Sequence, residues 1–346
     1  MSGLVGHSLY AILGLKAAEQ RRLPLAAVAR RYFAIYLAGA YLGSDIQTMP
    51  EAVCIDTGRE CGYGTVPVER SPFTGGAVRP FTLETPSGPT TPREVHPRFY
   101  GRAHLIFGWD RADLELAVPW DHLPDYLAAV IDDAELISGV GLRPVAYMLG
   151  WIVHIVSDSL IKSKQPGLTL NLIDGLYTPR NRPIQDLFEF HKIGKEELRL
   201  NWPAIFQDLS ETPVENLQLH AMRCSQPRGK LASLFPDGWA ASQSKTLHAI
   251  LVENRRWLPY HISDILVDTR LEDGECSEPI RRLVGMPYEG MMHAAEVAGI
   301  RGMLAQLTEA IADMFVAVEQ RSTLLASLPA DDPDWGTLRQ SWKVKK

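Results

Sequence analysis

PVAYMLGWIVHIVSDSLIK, residues Pro144–Lys162, decides the fold. Val145, Met148, Leu149, Trp151, Ile152, Val153, Ile155 and Val156 follow one another with almost no polar interruption. A helix that is apolar on every side belongs in the centre of a domain or in a membrane. The run is broken by His154 and Asp158, and no uninterrupted apolar stretch reaches the roughly 18–20 residues of a membrane span. The stretch therefore reads as a central buried helix. His154 and Asp158 are four apart and share one face of it. An aspartate placed there must be paired or lose its charge.

Outward from this helix the periodicity is helical almost throughout. Helices are expected over His7–Gln20 and Pro24–Leu42, the latter with a proline in its first turn. Others are expected over Leu123–Leu136, Ile184–Leu200, Pro213–Arg223, Ser242–Trp257 and Ile262–Leu271, with a long one over Tyr288–Ser327. One segment breaks the texture. Gly and Pro make up 13 of the 41 residues from Thr57 to Pro97, against 38 of the other 305. Such a segment holds no helix and reads as a long irregular loop. Two-residue alternation is confined to short pieces such as Leu105–Phe107 and Leu114–Val118. The fold class is all-α with one long Gly/Pro-rich loop.

The composition narrows the function. The chain has 346 residues, 46% hydrophobic and 22% charged, with a net charge of −6. That is the profile of a globular protein, and a mildly acidic chain is no general polyanion binder. No nucleic-acid readout and no nucleotide fingerprint is evident, since the Gly-rich piece Gly58–Gly64 lacks both the P-loop lysine and the Gly-x-Gly-x-x-Gly spacing. Four cysteines, with no Cys-x-x-Cys, exclude a disulfide scaffold and zinc-ribbon or thioredoxin chemistry. Cys54 and Cys61 are the close pair, free thiols in a reducing compartment or a disulfide in an exported protein. The apolar stretch Leu4–Leu15 has Arg21 and Arg22 after it rather than basic residues before it, the reverse of a signal peptide. A cytoplasmic location is the expectation, with export as the alternative.

Single histidines and acids carry little information; their order carries more. His7 follows Gly6 near the start of the chain. Asp45 follows the apolar helix in Gly43-Ser44-Asp45. His104 stands where the loop ends, after Arg102. His154 and Asp158 come next, and His154 is the only histidine with an acid four residues on. This order resembles the zinc-dependent phospholipase C family and its single-strand-specific nuclease relatives. The nuclease branch begins Trp-Gly-x-x-Gly-His; this chain reads Ser2-Gly3-Leu4-Val5-Gly6-His7.

The resemblance covers about the first 200 residues. It implies a helical catalytic core at 1–200, with the loop 57–97 inserted; the helical periodicity beyond it reads as a C-terminal extension at 201–346 packed on that core. It implies a metal centre of two zinc ions. His7 holds one ion with the terminal amine and carbonyl, which would be those of Ser2 once Met1 is removed. Asp45, His104 and His154 hold the other, and Asp158 bridges them. A bridging hydroxide would then cleave a phosphoester, most naturally a phosphodiester, in a small-molecule or lipid-type substrate. Nitrogen and carboxylate ligands suit zinc, and a metal pair suits displacement at phosphorus.

The chain departs from the family where a third metal is expected. Lys164 stands in place of a histidine six residues beyond Asp158, and no second His-x-x-x-acid follows. The corresponding helix offers Asn181, Arg182, Gln185, Asp186, Glu189 and His191. Lys164 and Arg182 would take over the third ion's role as fixed cations on phosphate, with Asp186, His191, His96 and Arg102 near the site or its mouth. His122–Asp125, His261–Asp264 and His293–Glu296 read as helix-surface pairs. Two other readings stand beside the phosphoesterase. The same metal scaffold would serve another hydrolysis, a lyase reaction or redox chemistry. A non-enzymatic partner-binding protein would use Met291, Met292, Met303, Leu304, Leu307, Ile311, Met314 and Phe315 on the 288–327 helix as an interface, including one between copies of the chain.

Overall fold

The computed structural model describes residues 3–42, 48–63, 68–95, 118, 120–138, 142–162, 181–224 and 244–328. Of these, 69% are helical and 8% lie in strands, so the mainly-α expectation holds.

Helix α1 spans Leu4–Gln20, α2 Leu25–Arg31 and α3 Phe33–Leu42. After the strands come α4 (Leu123–Ser138) and α5 (Arg143–Lys162). The central helix expected from the sequence is α5, and Val145–Val156 is buried on every side. By length and composition Arg143–Ile161 also passes as a membrane span. Its apolarity is accounted for by protein: α1, α2, α3, α4 and α12 (Ile300–Glu319) pack around it.

Helices α3 and α5 cross closely, and two glycines permit it. A Cβ on Gly39 would lie 2.0 Å from the Tyr147 carbonyl oxygen, and one on Gly150 would lie 1.9 Å from the Tyr36 carbonyl oxygen. Each clash is with backbone, which cannot rotate away as a side chain can. The two glycines face each other's helices, so the backbones meet with no side chain between them.

Several expected boundaries move. The helix expected over Pro24–Leu42 breaks at Tyr32, whose backbone turns to φ −114°, ψ 46°. The one expected over Tyr288–Ser327 is α11 (Tyr288–Val297), α12 and the short α13 (Thr323–Ala326), parted at Gly299 with φ 75°. The two expected over Ser242–Trp257 and Ile262–Leu271 are one helix, α9 (Ser244–Asp268), running through Pro259. Buried Leu251, Leu258 and Ile262 anchor it on both sides of the proline ring. The helix expected over Ile184–Leu200 is α6 (Arg182–Phe188) continued by a π-helix over Glu189–Glu197. Helix α8 is Glu215–Cys224.

Helices α7 (Trp202–Glu211) and α10 (Glu278–Val284) stand where none is expected from periodicity. The signal for α7 was present: Asn201 caps it by accepting the Ala204 N–H, and Pro203 lies in its first turn.

The Gly/Pro-rich stretch is irregular only in part: among its described residues are short strands and, at 92–95, one helical turn where the composition was expected to hold none. Strands β1 (Pro50–Cys54), β2 (Glu60–Tyr63) and β3 (Val78–Pro80) form an antiparallel sheet in the order β2-β1-β3, with Ala52 opposite Cys61 and Pro80. Strands β4 (Leu83–Thr85) and β5 (Gly88–Thr90) form a hairpin. Strands of three to five residues are too short to show alternation. The glycines serve the turns: Gly58, at φ 68°, closes β1 onto β2 through Gly58 N–H to the Cys54 carbonyl. Leu83 and Met49 pack with Leu219, Leu247, Ile250 and Leu251, tying this region to α8 and α9. The expected strands Leu105–Phe107 and Leu114–Val118 lie outside the described residues, apart from Val118, which is in no element.

The apolar stripe of the 288–327 region is not an interface. All eight of its named residues, Met291 to Phe315, are buried within the chain, and α12 packs on α1, α4 and α5. The expectation of an oligomer through this face is therefore withdrawn: the face is spent on the chain's own core.

Candidate metal centre

His7 sits on the second turn of α1. His154 and Asp158 sit one turn apart on α5, where the i, i+4 spacing aims both at α1. The three side chains are buried, at 1%, 1% and 0% exposure. His7 Nε2 lies 3.7 Å from Asp158 Oδ1, and His154 Nε2 lies 3.6 Å from Asp158 Oδ2. The imidazoles stack at 4.4 Å between centroids, inclined by 13°. One ligand atom from each of the three falls within 4.8 Å of the others.

These separations are informative. They are too long for hydrogen bonds. Two ligands on one tetrahedral ion, with bonds of roughly 2.1 Å, stand about 3.4 Å apart. The carboxylate and each imidazole therefore sit at the spacing of atoms that share an ion.

The tautomer of His154 agrees with that use. Its Nδ1 lies 2.9 Å from the Ala40 carbonyl oxygen, so Nδ1–H donates there and Nε2 is left with a lone pair. Nε2 is buried and makes no hydrogen bond. A histidine whose second nitrogen is pinned by a carbonyl is the usual arrangement for a metal ligand. Ala40 lies in α3, one residue from Gly39, so the close crossing of α3 on α5 places this carbonyl.

Behind His7 the polar chain continues. Tyr10 lies three residues on and meets the His7 ring edge-on at 5.9 Å. Tyr10 O–H donates to Glu189 Oε1 at 3.2 Å, and Gln185 Nε2–H donates to Tyr10 Oη at 2.5 Å and to Glu189 Oε1 at 2.7 Å. Burial pushes the Glu189 carboxyl up to about 8, against the pull of Gln185 and Tyr10. Glu189 is therefore a neutral acid at pH 7.

This yields a prediction with a defined sign. Because the folded value is raised from 4.5 to about 8, the stabilisation is complete below 4.5 and is lost as pH rises through about 8. Melting curves between about pH 5 and 9 should show the wild type losing stability relative to Glu189→Gln, which keeps the shape without the proton. Parallel curves would mean that the neutral acid is absent.

Arg182 and Asp186 are one turn apart at the start of α6, joined by Arg182 Nε–H to Asp186 Oδ2 at 3.3 Å. They meet the first described residue of the chain. A Cβ on Gly3 would lie 2.6 Å from Arg182 Nη2 and 3.3 Å from Asp186 Oδ2, and the Asp186 carboxylate accepts a backbone hydrogen bond from Gly3. Burial still raises the Asp186 carboxyl, opposed by Arg182.

Helix α9 adds His261, Asp264 and Asp268, spaced to share a face. His261 is buried and stacks on Tyr41 at 6.2 Å, so the reading of His261–Asp264 as a surface pair is corrected. Burial, then the Arg182 charge, pushes His261 down to about 3. Burial, then Asp264, pushes Asp268 up to about 6, with Arg182 pulling it down. The i, i+3, i+7 spacing on α9 was the available signal for this group. His122 and His293 are exposed, as expected.

His191 has partners of its own. On the π-helix its Nε2–H donates to the Thr269 carbonyl at 2.8 Å, and its ring packs edge-on against Phe190 and Tyr288. Burial lowers it to about 4, and it is not one of the three grouped residues. Ser2, Asp45, His96, Arg102, His104 and Lys164 lie outside the described residues. Compared with known proteins, the chain matches no family model, no curated protein and no solved structure.

Proposed function

We propose that this chain is a metal-dependent hydrolase of phosphoesters, most naturally phosphodiesters, built like the zinc-dependent phospholipases C and single-strand-specific nucleases. The observation that carries the proposal is the buried His7–His154–Asp158 group, with His154 pinned by the Ala40 carbonyl. Its two imidazoles and one carboxylate are a zinc-type donor set. Asp45 and His104 complete it in this reading, with Asp158 between two ions.

A bound ion supplies Lewis acidity, making water nucleophilic at neutral pH and drawing charge from a phosphoryl oxygen. The chain's own residues do the rest. Asp158 faces both imidazoles and would share an ion with them. The Ala40 carbonyl keeps the His154 proton on Nδ1. In this reading Arg182, which lies against Gly3, is a cation for the substrate's phosphate, with Lys164 as the second.

The zinc-loaded protein is expected to hydrolyse bis(p-nitrophenyl) phosphate faster than p-nitrophenyl phosphate. A chelator should remove the activity and added zinc should restore it. If a metal-loaded protein turns over neither ester, the phosphoester reading fails.

A second reading then takes its place: a metalloenzyme on this scaffold with a substrate lacking phosphate. One observation favours it. Arg182 is held by Asp186 and lies in the field of Asp268, so part of its charge is already neutralised by carboxylates.

A further inference from the structure

We propose that Cys54 and Cys61 are a disulfide-forming pair that staples the small β-sheet, oxidised by a low-molecular-weight disulfide such as glutathione disulfide. The register brings them together. Ala52 pairs with Cys61 across β1 and β2, and Cys54 lies two residues along β1 on the same face. Cys54 N–H bonds to the Arg59 carbonyl at 2.8 Å, so the hairpin is already closed. The two sulfurs lie 3.7 Å apart. A bond of about 2.05 Å asks each to move by roughly 0.8 Å, within reach of a side-chain rotation.

The packing supplies the reason for such a staple. Among the described residues the apolar cluster on the cysteines' face of the sheet is small: it joins Cys54 and Cys61 to Ala52, with Val68 and Val78 partly covering it. A sheet with so little apolar surface to bury gains most from a cross-link. Cys54 also donates to Ser71 Oγ at 3.0 Å. Ser71 Oγ takes the Phe73 and Thr74 N–H groups as well, so it keeps two partners when that thiol proton leaves.

The chemistry balances as thiol–disulfide exchange. Cys61, 5% exposed while Cys54 is fully buried, attacks the small disulfide as its thiolate. One small thiolate leaves and a mixed disulfide remains on Cys61. Cys54 then attacks the Cys61 sulfur, and the second small thiolate leaves. Two protons pass from the protein to the small thiols, and the two cysteine sulfurs are oxidised as the reagent is reduced. Burial and the neighbouring Cys54 push the Cys61 thiol up to about 11, so thiolate is scarce at neutral pH. The exchange should therefore be slow and should accelerate roughly tenfold per pH unit below that value. A pair of this kind is a structural cross-link and not an oxidoreductase centre.

The test uses the full-length wild-type protein. It is incubated with excess glutathione disulfide at pH 7, 8 and 9, quenched in denaturant with an alkylating reagent, digested with trypsin and weighed. Cleavage after Arg59 separates the two cysteines, so a 54–61 bond appears as a linked peptide pair that reduction splits. The expected result is that linked pair, with alkylation only at Cys224 and Cys276, formed faster at higher pH. Alkylation of all four cysteines after prolonged oxidation would overturn the proposal. So would a glutathione adduct persisting on Cys61, or linkage to another cysteine.

Discussion

Asp158→Asn is expected to strip the protein of its metal while leaving the helices in place. The carboxylate faces both imidazoles, at 3.7 and 3.6 Å, with no exposure to solvent. An amide of the same shape fits the space but brings no negative charge and one poor ligand oxygen. Loss of groups that merely orient a ligand costs about 10–100-fold in metal affinity, so loss of this ligand should cost at least two orders of magnitude, roughly. Metal content by mass spectrometry, with circular dichroism as the control for folding, checks this. Turnover of whatever ester the wild type hydrolyses should fall in step. Unchanged metal stoichiometry in a folded Asp158→Asn protein would make the group a structural cluster.

The second large effect is on the α3–α5 crossing. Gly39→Ala places a methyl group 2.0 Å from the Tyr147 carbonyl oxygen, and Gly150→Ala places one 1.9 Å from that of Tyr36. Both obstacles are backbone, so two central helices must separate. Overpacking of ordinary side chains costs about 1–3 kcal/mol; this geometry should reach about 3 kcal/mol or more, a fall in melting temperature of roughly 5–10 °C. The site feels it too. Moving α3 away carries the Ala40 carbonyl from His154 Nδ1, so either variant should bind metal more weakly than a variant equally destabilised elsewhere. Leu251→Ala, at a fully buried position in the separate cluster around Met49 and Leu83, should cost about 2–5 kcal/mol and is a control for that comparison. Melting curves with and without added zinc separate the two contributions, because a ligand that binds only the folded state adds stability in proportion to its affinity.

The central helix could be read from the chain because all-round apolarity leaves a segment no place but the middle. His154 and Asp158 could be read because two polar residues in such a helix demand partners, and their spacing fixes a shared face. His7 needed the order of several residues and not its own surroundings. Other features left weaker traces. The strands are too short for alternation to register, and their glycines looked like loop filler until the turns were seen. Tyr32 breaks a helix without a proline, whereas Pro259 sits within one, because packing on either side outweighs local preference. The Ala40 carbonyl is the least legible element of the site: every residue carries a carbonyl, and only the glycine-permitted crossing selects this one. His261 was legible as a helix position beside Asp264 but not as a buried one, since its stacking partner Tyr41 lies far away in the chain.

The central claim is that His7, His154 and Asp158 hold a metal ion. Elemental analysis of the purified full-length protein, after equilibration with zinc and removal of the excess, tests it most directly. The account predicts one to two ions per folded chain in the wild type, with the content collapsing in Asp158→Asn and in His154→Ala. A folded wild-type protein that retains none, or mutants that retain as much as the wild type, would contradict it.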